Sequence, residues 1–171
     1  MRKLSFTFII FLFALSHVLL AGKDTKKEQL LKLIEDRSFT IENFQMADAQ
    51  QNQIFLGAPH NALFISGDDF VFQTSFNGLE IAGMPQENGL GGMTLVGKIL
   101  NYQINNADKK GILNINVLAS TQTYGHITFN VSFYNDFTAR TIVRGFDGLK
   151  MFMLGNVKEG NMVGFEAGPS F

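Results

Sequence analysis

From His126 to Tyr134 the chain alternates without a break. Ile127, Phe129, Val131 and Phe133 fall on one side, and His126, Thr128, Asn130, Ser132 and Tyr134 on the other. A period of two puts each set on one face of a pleated strand, so the segment predicts a strand with one buried and one wet face. Asn135-Asp136 follows. Both residue types tolerate positive φ, which predicts a tight turn. The return strand carries Phe137, Ala139, Thr141 and Val143 on one face, with Arg140 and Arg144 on the other. Phe146-Asp147-Gly148 then turns the chain into 149–157, where Met151 and Met153 point one way and Phe152 and Leu154 the other. A strand apolar on both faces must be covered on both, and this places it under the N-terminal helix.

The same period, less clean, predicts strands over 39–47, 61–66, 69–76, 92–97, 99–105 and 112–119. Turn-forming residues separate them: Gly67-Asp68-Asp69, Asn77-Gly78, and Asn106 to Gly111 with Asp108, Lys109 and Lys110 between. Strands spaced by roughly 8–12 residues with short turns predict an antiparallel meander, not βαβ units. One helix is predicted, from Asp24 to Arg37. Thr25 and Glu28 have capping-box spacing, and Leu30, Leu31, Leu33 and Ile34 form its apolar stripe. Gly83 to Gly92 reads as the longest loop, a connector or a lid that exposes Met84, Leu90 and Met93. The tail after Glu159 reads as loosely held.

The N-terminus is different in kind. Arg2 and Lys3 precede a run from Leu4 to Ala21 that is apolar except for Ser5, Thr7, Ser16 and His17. A basic start, an apolar stretch and a small residue at the cut predict an export signal, residues 1–21. The polar interruptions favour cleavage over a retained anchor. Residues 22–171 would then form a single domain of 150 residues, large enough to bury a core without staples. Lys23 stands where a lipoprotein signal requires its Cys, so no lipid anchor is expected, and the destination is the periplasm or the cell exterior.

Charge and composition remove several functions. Without Arg2 and Lys3 the chain has 12 basic residues against 15 acidic, a net charge of −3, which argues against nucleic acid as a partner. There is no cysteine, so thiolate catalysis, iron–sulfur clusters and cysteine zinc sites are excluded; an exported chain of this size does not need disulfides, so their absence is compatible with export. Eighteen Phe and 17 Gly with no Trp suit a β-rich domain with many turns.

No motif carries chemistry. Gly92, Gly97 and Lys98 have P-loop spacing, but Ile99 replaces the required Ser or Thr and a strand, not a helix, follows. His60, in a loop, and His126, on a polar strand face, are the histidines left for a hydrolase triad after signal removal, and both read as surface residues. Asp68 and Asp69 are turn residues that point apart, with no calcium loop around them. Phe70, Phe72 and Phe76 share one face, as core or as the lining of a ligand cavity. No catalytic, cofactor-binding or metal-binding residue is expected, and no cofactor.

Four stretches carry a resemblance: LIEDRSFTIE, NALFISGDDFVF, ILNYQINNADKKGILNINV and HITFNVSFYNDFTARTIVRGFDGLKMFMLGNV. Together they span 33–157 and resemble the exported Bacteroidetes domain-of-unknown-function family 4251. The chain departs from it at Phe152-Met153-Leu154-Gly155, one residue longer than the family's closing Phe-x-Gly, and at Thr74 to Gly78, where a proline-aromatic-Gly turn is usual. The resemblance implies export and a β-rich fold, and transfers no activity.

The expected architecture is mainly β: an antiparallel meander of about eight strands curled into a barrel or half-barrel, with one N-terminal helix packed on it. The expected role is non-enzymatic binding in the envelope or periplasm. The partner is a small apolar ligand inside the sheet or an envelope protein outside it; a small hydrolase is the third alternative. A ligand binder should keep some of Phe70, Phe72, Tyr102, Phe129 and Phe133 from meeting across the core. An interaction module should have a filled core and a usable edge strand or patch.

Overall fold

The computed structural model describes residues 26–57, 60–84, 86–87, 90–106 and 112–160. The signal at 1–21, the Thr25 cap and the tail from 161 lie outside these residues. Helix α1 spans 26–35. The strands are β1 (Ser38–Ala47), β2 (Gln53–Phe55), β3 (Ala62–Ser66), β4 (Asp69–Asn77) and β5 (Gln86–Glu87), then β6 (Leu90–Asn106), β7 (Leu113–Thr121), β8 (Gly125–Phe133), β9 (Thr138–Arg144) and β10 (Lys150–Glu159). Every pairing is antiparallel, in the order β10-β9-β8-β7-β6-β4-β3-β1. β1 also pairs with β10, from Phe39↔Glu159 to Ala47↔Phe152, and this closes an eight-stranded barrel.

An eight-stranded barrel encloses roughly the space its inward side chains can fill. Here they fill it. Phe39, Phe70, Phe72, Phe129 and Phe133 are fully buried. Phe129 meets Phe70 and Phe72 with ring centroids 5.4 and 5.7 Å apart, and Phe39 meets Phe133 edge-on at 5.4 Å. Such edge-to-face contacts add to the burial of each ring.

Two bulges set the barrel's shape. In β6 the register slips between Ile99 and Asn101, leaving Leu100 exposed. An extra residue shifts the inward–outward phase, so a single 17-residue strand reads in sequence as the two segments 92–97 and 99–105. In β1 the slip lies between Asn43 and Gln45. The partner there is Gly155, where a Cβ would sit 2.6 Å from the Glu42 carbonyl oxygen. Only glycine allows the two strands this approach.

The turn after β8 also differs from its predicted chemistry. Positive φ falls on Phe137 (63°), not on Asn135 or Asp136. The Phe137 amide donates to the Tyr134 carbonyl, and the Asp136 carboxylate accepts from the amide and hydroxyl of Thr138.

The two ends of the barrel close differently. At the end where β1 starts, α1 contributes Leu30 and Ile34 to the core. Arg37 takes φ 49° and stops the helix. Its carbonyl accepts from Gly67, in the turn between β3 and β4 (2.8 Å). Tyr102 donates its hydroxyl to the Ile34 carbonyl (2.8 Å) while the Arg37 guanidinium stacks over its ring. The helix therefore caps an end of the barrel, whereas the sequence led us to expect it over the outer face of β10. Phe152 and Leu154 remain half-buried on that outer face. At the opposite end the chain after β4 folds inward and buries Leu79, Ile81 and Met84. The supposed loop 83–92 is largely hairpin, with β5 pairing onto β6; Met84 and Met93 are buried and only Leu90 is exposed. Residues 85, 88 and 89 lie outside the described set.

Candidate functional site: the outer groove beside the β1–β2 flap

Past its bulge β1 leaves β3 and takes β2 as neighbour, through Gln45↔Phe55, Met46↔Ile54 and Ala47↔Gln53. β2 pairs with nothing else among the described strands, so β1 and β2 form a flap with a free edge. Sequence periodicity misses β2 because three residues are too few to show a period.

Polar side chains hold the flap. The Asp48 carboxylate accepts the amides of Gln50 (2.9 Å) and Asn52 (2.8 Å) and the Asn52 side-chain amide (2.7 Å). Burial alone would raise the Asp48 pKa; the bonds from Asn52, Gln50 and Gln51 outweigh it and hold the carboxyl below its ordinary range. Asn61 fills the gap where β3 stops short of the end of β4. Its Oδ1 accepts from the Thr74 hydroxyl (2.9 Å) and the Ser75 amide (2.7 Å), and its Nδ2 donates to the Gly57 carbonyl (2.9 Å). Its own carbonyl accepts the Asn43 amide (2.7 Å). One buried side chain thus replaces a missing stretch of strand.

Between the flap and β9–β10 runs a groove of about 290 Å³. Phe152 and Leu154 form its floor, Arg140 one wall, and Gln45, Gln51 and Gln53 the other. The Arg140 guanidinium lies 5.6 Å and the Lys150 ammonium 5.2 Å from the centre of the Phe152 ring. Gln45 donates to Gln53 across the flap. Phe55, opposite Gln45, is 85% exposed, an unusual position for a large aromatic residue. On the other side of the flap an open cleft of about 880 Å³ carries Asp48, Asn52, Glu80 and Lys150. The groove offers amide donors and acceptors, the Arg140 cation, and an apolar floor whose Phe152 ring Lys150 also approaches. Such groups suit binding.

The residues singled out from sequence fall elsewhere. His60 and His126 are exposed, one before β3 and one at the start of β8. Asp68 pairs with Arg37 and Asp69 with Lys98, so the adjacent carboxylates do take separate partners. Gly92, Gly97 and Lys98 lie inside β6, and Gly97 sits so close to the Ser120 carbonyl that no side chain fits. Phe70, Phe72 and Phe76 are core. Among the described residues no three His, Asp or Glu side chains gather as for a metal. Sequence reasoning missed Gln45, Gln53, Phe55 and Phe152. The signal available was the doubly apolar strand at 149–157, which pointed to an outer face with work to do.

The family pattern described as "Domain of unknown function (DUF4251)" matches residues 21–144. The chain belongs to the DUF4251 family. A DUF4251 family protein from Bacteroides eggerthii DSM 20697, known from its crystal structure, is similar with a TM-score of 0.66 and 18% identity, over 81% of this chain and 91% of that one. At that identity the likeness concerns the fold. No curated protein matches the chain. Within this DUF4251 chain the flap and Arg140 lie inside the matched residues, whereas Phe152 and Leu154 lie beyond them.

Proposed function

We propose that this DUF4251 chain is an exported, non-enzymatic recognition module of the cell envelope that binds its partner on the outer surface of the barrel. The observation that carries this reading is the filled interior. Phe70, Phe72 and Phe129, the rings an internal apolar ligand would hold apart, are in contact. A small apolar ligand needs space that these rings occupy. A binder with a packed core must work by a patch or an edge, and the flap supplies both: the side of β2 that no described strand pairs and the exposed Phe55.

The test is a photo-crosslinking amino acid placed at Phe55 in the native cells. A discrete adduct at Phe55 is expected. The same group at Glu35, exposed on α1 at the other end of the barrel, should give none. Equal labelling at both sites, or none at Phe55, would count against recognition at the flap.

A further inference from the structure

The outward positions of β7 to β10 carry no carboxylate; the one acidic residue in these strands, Glu159, ends β10 in register with Phe39. They hold amides, hydroxyls, apolar residues, His126, and the cations Arg140, Arg144, Lys150 and Lys158. Lys158 is neutralised by Glu42 on β1. Arg140, Arg144 and Lys150 have no acidic partner among the described residues, in a chain whose net charge is −1. Arg140 lines the groove, Lys150 stands over the Phe152 ring of its floor, and Arg144 lies beside Lys150 on the neighbouring strand. Lys150 pairs in register with Arg144, Phe152 with Ile142, and Leu154 with Arg140.

Next to these cations the sheet is an ordered field of amides. Asn130 donates to Asn116 (2.7 Å), Ser132 donates to Asn114 (2.6 Å), and Arg144 donates to the Asn130 oxygen (2.8 Å). Each bond fixes a side chain in place. Each amide also keeps donors and acceptors free to point outward, because an asparagine has two N–H groups and two lone pairs. One row runs in register through Asn114, Ser132, Arg140, Leu154, Gln45 and Phe55, across β7, β8, β9, β10, β1 and β2. The next row holds Asn116, Asn130, Ile142, Phe152, Ala47 and Gln53. Along such rows neighbouring side chains, polar on β7 and β8 and mixed with apolar ones beyond, stand at the strand spacing of about 4.8 Å, close to the length of one sugar ring in a chain.

We propose that this face binds a carboxylated polysaccharide. Pre-positioned amides are what a dense array of sugar hydroxyls requires, since each hydroxyl both donates and accepts. Arg140 and Arg144 supply planar forks for carboxylates, with no carboxylate among the described residues paired to them. Phe55 and Phe152 supply apolar surfaces for the C–H side of a pyranose ring. An acidic peptide would use the cations but leave the rows of amides unread. A lipid surface would need more unpaired cations and no amides, and a nucleic acid would need many more phosphate contacts than three cations provide.

The inference rests on the outer-surface reading, and its test separates the two. The protein as exported is run in native gels containing polygalacturonate, hyaluronate or alginate, with dextran and poly-glutamate as controls. Retardation by at least one of the three acidic polysaccharides is expected, with none by dextran and much less by poly-glutamate. Losing the charge-assisted bonds in R140Q/R144Q should weaken that binding about tenfold or more at unchanged Tm. Phe55→Ser, at an exposed position that cannot affect folding through the core, should weaken it severalfold. Retardation by none of the three, equal retardation by poly-glutamate or dextran, or full retention by R140Q/R144Q would overturn the proposal. So would binding confined to phosphatidylglycerol vesicles. If the polysaccharides fail while the Phe55 crosslink joins an envelope protein, the outer-surface reading stands and only this inference falls.

Discussion

The two ends of this barrel are built from the same eight strands and close on different physics. The helix end is sealed by burial: Leu30 and Ile34 enter the core, and the carbonyls of Ile34 and Arg37 find Tyr102 and Gly67. The flap end also buries Leu79, Ile81 and Met84, but the flap itself is held by a few exact polar contacts, those of Asp48 and Asn61, beside the inward side chain of Asn43, whose side-chain amide has no hydrogen-bond partner among the described residues. Burial is non-directional and tolerates change, whereas a side-chain bond replacing a strand ladder depends on one residue. The difference teaches where a barrel can carry a binding surface. The end held by local polar contacts can shape a groove without putting the core at risk.

Four outcomes bear on that contrast, in order of size. Ile34→Ala removes a fully buried side chain at the helix end and should cost about 3 kcal/mol in urea unfolding, with all probes changing together. Asn61→Ala leaves the Thr74 hydroxyl and the Ser75 amide without their acceptor and should cost about 2 kcal/mol. Hydrogen exchange should show that loss first at Gln53 to Phe55 and at Ser75, before the helix end responds. A uniform change would mean the flap is no separate unit.

Tyr102→Phe removes the bond to Ile34 and should cost about 1 kcal/mol. Burial pushes the Tyr102 phenol above its ordinary range, against the opposing Arg37 charge. The neutral phenol's contribution is therefore complete below the ordinary tyrosine pKa of about 10 and is lost as pH rises through the higher folded value. Ultraviolet titration should find Tyr102 protonated where free tyrosine ionises. The smallest effect is local. The Asp48 pKa is depressed, so its hold on the flap is present above the ordinary carboxylate pKa of about 3.9 and is lost as pH falls through the folded value. The Asn52 amide should then exchange faster at acid pH while the core amides keep their protection.

Much of the barrel was legible because alternation marks strands that have one wet face. The segment 126–134 and its return strand were found to within a residue or two, and the apolar stripe of α1 was real. What stayed hidden had physical reasons. The β6 bulge broke the period at Leu100, so one strand looked like two. β2 and β5 are too short for a pattern. The second apolar face of β10 was visible as Phe152 and Leu154, but its neighbours were not, because the register that brings Arg140, Gln45 and Phe55 beside it is a property of the closed sheet. The candidate site was thus present in the sequence as single residues and absent as a constellation.

The central claim is that the interior is full and recognition lies outside. Native mass spectrometry tests it most directly, on the protein purified without detergent from the exported fraction of its own cells and washed at high salt to strip surface ligands. The account predicts the bare mass of the processed chain. A reproducible added mass that survives the wash and is released only on denaturation would place a ligand among the core rings and contradict it.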